Sequence, residues 1–253
     1  MKRFVVLLAG LVLVAGLGEA AAQTRTMVRV RVVAHDAKII GSGVGGARVW
    51  VRDPATGSVL AAGEHQGRTG DTRALVVDPV VRGEPIYDTE GAGEFTFELD
   101  LAQPTVLEFV AEGPLGYPHS MQRASKTMMI VPGEDVLGNG IVLRLHGFIV
   151  ELLEPGDAGA GSEAVPVRVR IRMMCGCPLE PGGLWDADRL KVTARIYDGD
   201  DLVRESELGY AGETNIFAGR ISLAGTRPGQ TLMVVAADPS RQNFGVSQLL
   251  EIR

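Results

Sequence analysis

Both cysteines of the chain stand in one stretch, Arg172-Met173-Met174-Cys175-Gly176-Cys177-Pro178. Two thiols one residue apart allow three outcomes. In an oxidising compartment they can close a local Cys-Gly-Cys disulfide; so small a ring constrains the bridge geometry, and a strained bridge is easily reduced. As thiolates beside the thioethers of Met173 and Met174 they offer soft sulfur ligands that suit Cu(I). In the third outcome the loop is merely rigid, the cysteines do no chemistry and Trp185 packs. Successive side chains on a strand point to opposite faces, so Met173 and Met174 cannot both line one site. A closed zinc site needs four Cys or His ligands, and no histidine lies near these cysteines in sequence. Cys175 and Cys177 are therefore a disulfide candidate first, and a weak metal candidate with Met173 and Met174 second.

Elsewhere the residue types that carry chemistry are scattered. His35, His65, His119 and His146 all fall in the first half without a ligand spacing, and each reads as an exposed or hydrogen-bonded structural histidine. There is no Gly-x-Ser-x-Gly elbow and no His-Glu-x-x-His pair. The run Gly41-Ser42-Gly43-Val44-Gly45-Gly46 lacks the Gly-Lys-Ser/Thr ending of a phosphate loop and reads as a flexible hairpin. Asp198-Gly199-Asp200-Asp201 offers hard oxygens, but the spacing does not complete a calcium loop, and Asp-Gly between two strand-like runs is a hairpin-turn signal. Asp186 and Asp188 read as loop carboxylates. No catalytic residue and no cofactor are expected.

The elements that would position these residues are strands. Met27 to Val33 alternates strictly with its arginines outward, Ala47 to Arg52 repeats the pattern, and Glu94 to Leu99 alternates again. Thr105 to Ala111, Thr127 to Val131 and Ile141 to Leu153 are further strand candidates. With 33 glycines and 13 prolines between Val-rich segments, the composition is that of short strands joined by turns. The longest loop is expected near Glu64 to Glu90, and no segment reads as a convincing amphipathic helix. Glu154 to Glu163 has no β-branched residue and reads as a flexible linker. The strand pattern restarts after it, over Val165 to Met173, Leu190 to Tyr197, Leu202 to Leu208, Phe217 to Leu223, Thr231 to Asp238 and Phe244 to Ile252. The expectation is an all-β chain of two tandem β-sandwiches, 23–153 and 164–253, joined by the linker 154–163.

Gly46-Ala47-Arg48-Val49-Trp50-Val51, the turn Asp53 to Gly57, and Thr89-Glu90-Gly91-Ala92-Gly93-Glu94-Phe95-Thr96-Phe97 together resemble the carboxypeptidase regulatory-like, transthyretin-like β-sandwich. The resemblance covers about 80 residues, with a long insertion between its two parts and a looser glycine-rich opening than the family pattern. It implies an accessory or adhesive module. The second half looks generically immunoglobulin-like.

Lys2 and Arg3, the apolar run Phe4 to Leu17 and the small residues Ala20-Ala21-Ala22 read as a cleaved secretory signal over 1–22. The apolar run is shorter than the ~20 residues of a spanning helix, and no later segment is long and apolar enough to cross. The formal charge is −6, and no stretch concentrates Lys or Arg, which argues against nucleic acid as partner. Aromatic residues are only 5% of the chain, so stacking platforms for bases or sugars are sparse. These features lead to an expectation of a periplasmic or secreted, non-enzymatic binding or assembly module. Its partner would be another envelope protein or a cell-surface component. The alternative is a periplasmic redox or copper-handling protein using the Cys-Gly-Cys loop.

Overall fold

The structure, a computed structural model, describes residues 24–155 and 163–253. The expected export signal and most of the expected linker lie outside the described residues. The first seven strands are β1 (Thr24–Ala34), β2 (Ala47–Arg52), β3 (Val59–His65), β4 (Phe95–Leu101), β5 (Thr105–Gly113), β6 (Gln122–Ile130) and β7 (Val136–Leu145). They form two sheets in the orders β4-β1-β7 and β3-β2-β5-β6. Every pair is antiparallel except β1 with β7. The alternating valines explain the packing. Val28, Val30 and Val32 of β1 face Val49 and Val51 of β2 and Leu107 and Phe109 of β5 in one buried core, because every second side chain of a strand points the same way. The chain is all-β: among the described residues the only helical segments are three single 3-10 turns and one π turn at Arg73–Val77.

The apolar run expected to be one strand from Ile141 to Leu153 is two. β7 ends at Leu145, His146 and Gly147 break the ladder, and β8 (Phe148–Pro155) starts in a different sheet. Gly147 sits at φ 136°, a conformation that favours glycine. Sheet membership thus changes at His146-Gly147, ahead of the boundary read from composition at 154–163. β8 pairs with β9 (Val165–Met173), so residues 156–162, which lie outside the described residues, join the two strands of a hairpin. The remaining strands are β10 (Lys191–Asp198), β11 (Asp201–Tyr210), β12 (Ile216–Ile221), β13 (Thr231–Asp238), β14 (Asn243–Val246) and β15 (Leu250–Glu251). Their order is β14-β13-β10-β11-β12-β9-β8, with β15 on β13. β11 pairs with β10 as far as Leu208 and with β12 at Gly209 and Tyr210, which turns the sheet back on itself around a second set of buried valines and leucines. The expected hairpin at Asp198 to Asp201 joins β10 and β11, with Gly199 at φ 62°.

Residues 66–94 fold over the outer face of β1. Gln66 bridges to Glu94 and Arg68 to Ala92, while Leu75 and Tyr87 cover Val33 and Ile39. This covering corrects one expectation. Arg29 and Arg31 do point away from the core, but Arg31 is only 1% exposed. Its guanidinium donates to the carbonyls of Ala92 and Gly93 at 2.9 Å each and pairs with Asp88 at 3.0 Å and Glu94 at 3.1 Å. Arg29 shares both carboxylates. Burial lowers the Arg31 pKa against the pull of Glu94.

His65 ends β3 fully buried, and its Nε2 accepts the Val32 N–H at 3.1 Å, which requires the neutral ring. Burial, and then the Arg31 charge, depress its pKa from 6.5 to about 4. A depressed folded-state pKa gives stability that is complete above the unfolded value and is lost as pH falls through the folded one. The stability of the wild type in chemical denaturation should therefore fall by about 3 kcal/mol as pH drops from about 6.5 to about 4. His65→Gln, which keeps an acceptor near the Val32 amide but does not titrate, should remove that part of the slope. An unchanged slope in the variant would show that His65 is not its source.

Candidate functional site

The Cys-Gly-Cys stretch lies where the two halves meet. β9 ends at Met173 and the chain turns at once: Gly176 N–H donates to the Met173 carbonyl at 2.7 Å, and Met173 N–H donates to that of Cys177 at 3.1 Å. Gly176 holds φ 84°, and a Cβ there would come within 2.9 Å of Val44 Cγ1, so both backbone and space call for glycine. The loop beyond is pinned by Asn215, which accepts from the Leu179 N–H through its side chain at 2.7 Å. Asp186 closes the next turn by accepting the N–H groups of Gly182 and Asp188.

Facing this turn is the loop that follows β1. Ala34 N–H donates to the Lys38 carbonyl at 2.9 Å, and Asp36 adopts φ 53° between them. Three contacts bind that loop to the second half. Trp185 Nε1 donates to the Asp36 carbonyl at 2.8 Å, the Arg241 guanidinium pairs with the Asp36 carboxylate, and His35 Nε2 lies 2.6 Å from the Arg241 carbonyl. The His35 ring also stacks on His146, centroids 3.9 Å apart. Asn243 adds a fourth tie by bonding both the N–H and the carbonyl of Gly147. One buried cluster runs through the seam, joining Val44, Phe148, Met173, Met174 and both cysteines to the cores on either side. A cleft bordered by Asp36, Trp185, Arg189 and Arg241 opens along it.

Cys175 and Cys177 are free thiols here, 4% and 8% exposed. Burial alone would push the Cys175 thiol up. The Cys177 thiol hydrogen-bonded to it, the backbone N–H groups of Lys38 and Cys177, and the Lys38 charge outweigh burial and bring it down to about 7. Cys177 moves the opposite way, because its hydrogen bond to Cys175, then its burial and then the neighbouring charge all oppose loss of its proton. The two titrate as a pair that readily gives up one proton and holds the second. Lys38 Nζ bonds Thr72 Oγ1 at 3.0 Å and the Gly70 carbonyl at 3.4 Å; no carboxylate pairs with it among the described residues.

Met173 and Met174 are both core residues, 3% and 0% exposed. No group of three or more His, Cys, Asp or Glu residues that could hold a metal occurs among the described residues. The other singled-out residues do not join the thiols. His119 lies in the 3-10 turn Pro118–Ser120, beside a cleft with Tyr117 and Glu151, and His65 belongs to the Arg31 centre. The glycine-rich run is not an open hairpin: Ser42–Val44 is a 3-10 turn, and a Cβ on Gly45 would lie 2.2 Å from the Gly116 nitrogen. Sequence reading missed Lys38, Asp36 and Arg241. Asp36, an aspartate beside a strand-end histidine, was the one local sign of a fixed turn.

Trp185 is half-buried at the centre of these ties. Trp185→Ala should cost about 2 kcal/mol in chemical denaturation, and Trp185→Phe, which loses only the bond to Asp36, about 1 kcal/mol. If both variants unfold like the wild type, the indole does not hold the seam.

No family model matches this sequence, and no curated protein does. Among solved structures, the chain is similar to the three-domain titin immunoglobulin structure I67–I69, in its E-to-A mutated variant. The identity is 11% and the TM-score 0.26, over 91% of this chain. This chain spans 65% of the length of that one.

Proposed function

We propose that the chain is an exported, periplasmic or secreted, non-enzymatic binding or assembly module whose partner is another envelope protein. In this reading its first half is a carboxypeptidase regulatory-like sandwich and its second half an immunoglobulin-like one. The observation that carries the reading is the outward face of the β3-β2-β5-β6 sheet. Trp50 lies on the side of β2 opposite the buried Val49 and Val51, and Arg123 of β6 sits over its ring at 5.1 Å. Val110, the register neighbour of Trp50 on that face, is fully buried. Val106 and Met129, a cross-strand pair, are exposed at one end of the face. Charged pairs rim it, Arg52 with Glu108 at 2.6 Å and Arg123 with Glu112 at 3.9 Å.

Tryptophan, arginine and methionine are enriched where proteins bind proteins, and a polar rim around such anchors excludes water. The seam supports the same reading, because it fixes two sandwiches as one body that presents this face without an ordering cost.

Immobilised wild-type protein should capture an envelope protein that the double variant Trp50→Ala, Arg123→Ala retains about tenfold less or weaker still. Melting of the variant should be unchanged, and a control Leu202→Ala on β11 should bind normally. Equal retention by the double variant, or no capture beyond a blank surface, would contradict the reading.

A further inference from the structure

We infer that the outer face of the β3-β2-β5-β6 sheet closes on the same face of a second copy of this chain, about a two-fold axis that runs along the strands between β2 and β5. The inference rests on the reading of this face as a protein-binding surface, and it names the protein bound. The pattern of the face carries it. Directly opposed residues of neighbouring antiparallel strands share a face, so the registers lay out its rows. In the order β3, β2, β5, β6, the middle row is Ala62, Trp50, Val110 and Ser125. On one side of it stand Glu64, Arg48, Glu112 and Arg123, and on the other Val59, Arg52, Glu108 and Thr127. An arginine on β2 thus stands beside a glutamate on β5 on both sides of Trp50. The chain leaves part of this charge unused. Arg52 and Glu108 pair at 2.6 Å, but Arg123 and Glu112 approach only to 3.9 Å. Arg48 and Glu64 are exposed. Among the described residues no carboxylate pairs with Arg48, and Glu64 has only the side-chain amide of Gln66, at 3.1 Å.

A two-fold rotation about an axis along the strands keeps each residue's height and exchanges β2 with β5 and β3 with β6. Arg48 then faces Glu112 of the second copy, Glu64 faces Arg123 and Arg52 faces Glu108. Each contact occurs twice, as in any isologous interface. The uncharged middle rows meet between them, Trp50 of each copy against the strand that carries Val110 in the other. The alternative two-fold runs across the strands through Trp50. It would set Arg48 on Arg52 and Glu112 on Glu108, and like charges brought together oppose that arrangement. The charge pattern therefore selects one axis. Stacked sheets settle about 30° from parallel, and the long arginine and glutamate side chains can follow that rotation because their rows lie close to the axis. β2 is six residues long, so the four-stranded face measures roughly 19 by 20 Å. That is smaller than a standard interface, and the dimer is accordingly a weak, reversible one.

The test uses the symmetry. Arg48→Glu sets like charges against Glu112 of the other copy at both equivalent positions, and Glu112→Arg does the same against Arg48. In a mixed dimer of the two variants, opposite charges meet again at both positions. Sedimentation equilibrium of the purified protein from about 5 to about 500 μM should show the wild type passing from monomer toward dimer. Each variant alone should associate at least about tenfold more weakly, and their equimolar mixture should regain the wild-type affinity within about threefold. Circular dichroism melting of the dilute monomers checks that both variants fold. If one does not, Glu64→Arg with Arg123→Glu makes the same exchange at the outer pair. A wild type that stays monomeric, variants that associate like the wild type, or a mixture no better than its components would overturn the inference. If the wild type is monomeric and the immobilised chain still captures a different protein through Trp50 and Arg123, the reading of the face stands and the two-fold alone is lost. If the face mediates neither, both are lost.

Discussion

The seam where the loop after β1 lies on the turn after β9 is the constraint on which the rest of the structure depends. β1 and β9 are each interior to a sheet, and both deliver their C-terminal ends to the same place. Once Trp185 donates to the Asp36 carbonyl and Arg241 pairs with the Asp36 carboxylate, the apolar rows of the two strands continue into one another. A single core therefore runs from Val28 to Ile252. Residues of the seam make polar contacts mainly through backbone groups, whose geometry is fixed, so the relative placement of the two sandwiches follows from local turns. Gly176 and Asp36, both at positive φ, make those turns tight enough for the cysteines to be buried between them.

The first sandwich uses burial differently. Its Arg31 centre places a guanidinium under the 66–94 insertion with four oxygen partners, an arrangement in which removing one member is costly while the intact set is close to neutral. Such a centre specifies where the insertion sits more than it adds stability. His65 stands on the other side of the same centre, and its neutral ring is the acceptor that β1 needs at Val32. The long insertion is thereby fixed at both ends. The adjacent β2, β5 and β6 then offer their outer face to solvent with Trp50 at its centre.

Much of the fold was legible because strand alternation is a local signal. β1, β2, β4 and β9 each show it, and the Asp198-Gly199 turn announces its hairpin. What was not legible is non-local. The continuous apolar run Ile141 to Leu153 hides the change of sheets, since only Gly147 at φ 136° marks it and a glycine in sequence carries no sign of its φ. Arg31 alternates as an outward residue, and its burial depends on residues 88–94 folding back over it. At the site, the Cys-Gly-Cys spacing identified the sulfurs by type, but the difference between them arises from their contact with each other and, beyond that, from Lys38, which belongs to the other half of the chain. Trp50 was read only as part of a strand, although its place beside Arg48 and Arg52 already set it on the outward side.

The central claim is that the seam is as firmly closed as the cores it joins. Hydrogen exchange at the backbone amides of Ala34 and Gly176, which donate to the Lys38 and Met173 carbonyls on the two sides of the seam, tests this most directly. The account predicts that these amides exchange as slowly as amides in the middle of β1 and β9, through global unfolding only. Fast exchange at Ala34 and Gly176 while the middles of β1 and β9 stay protected would contradict it, and would mean that the two sandwiches move independently about an open joint.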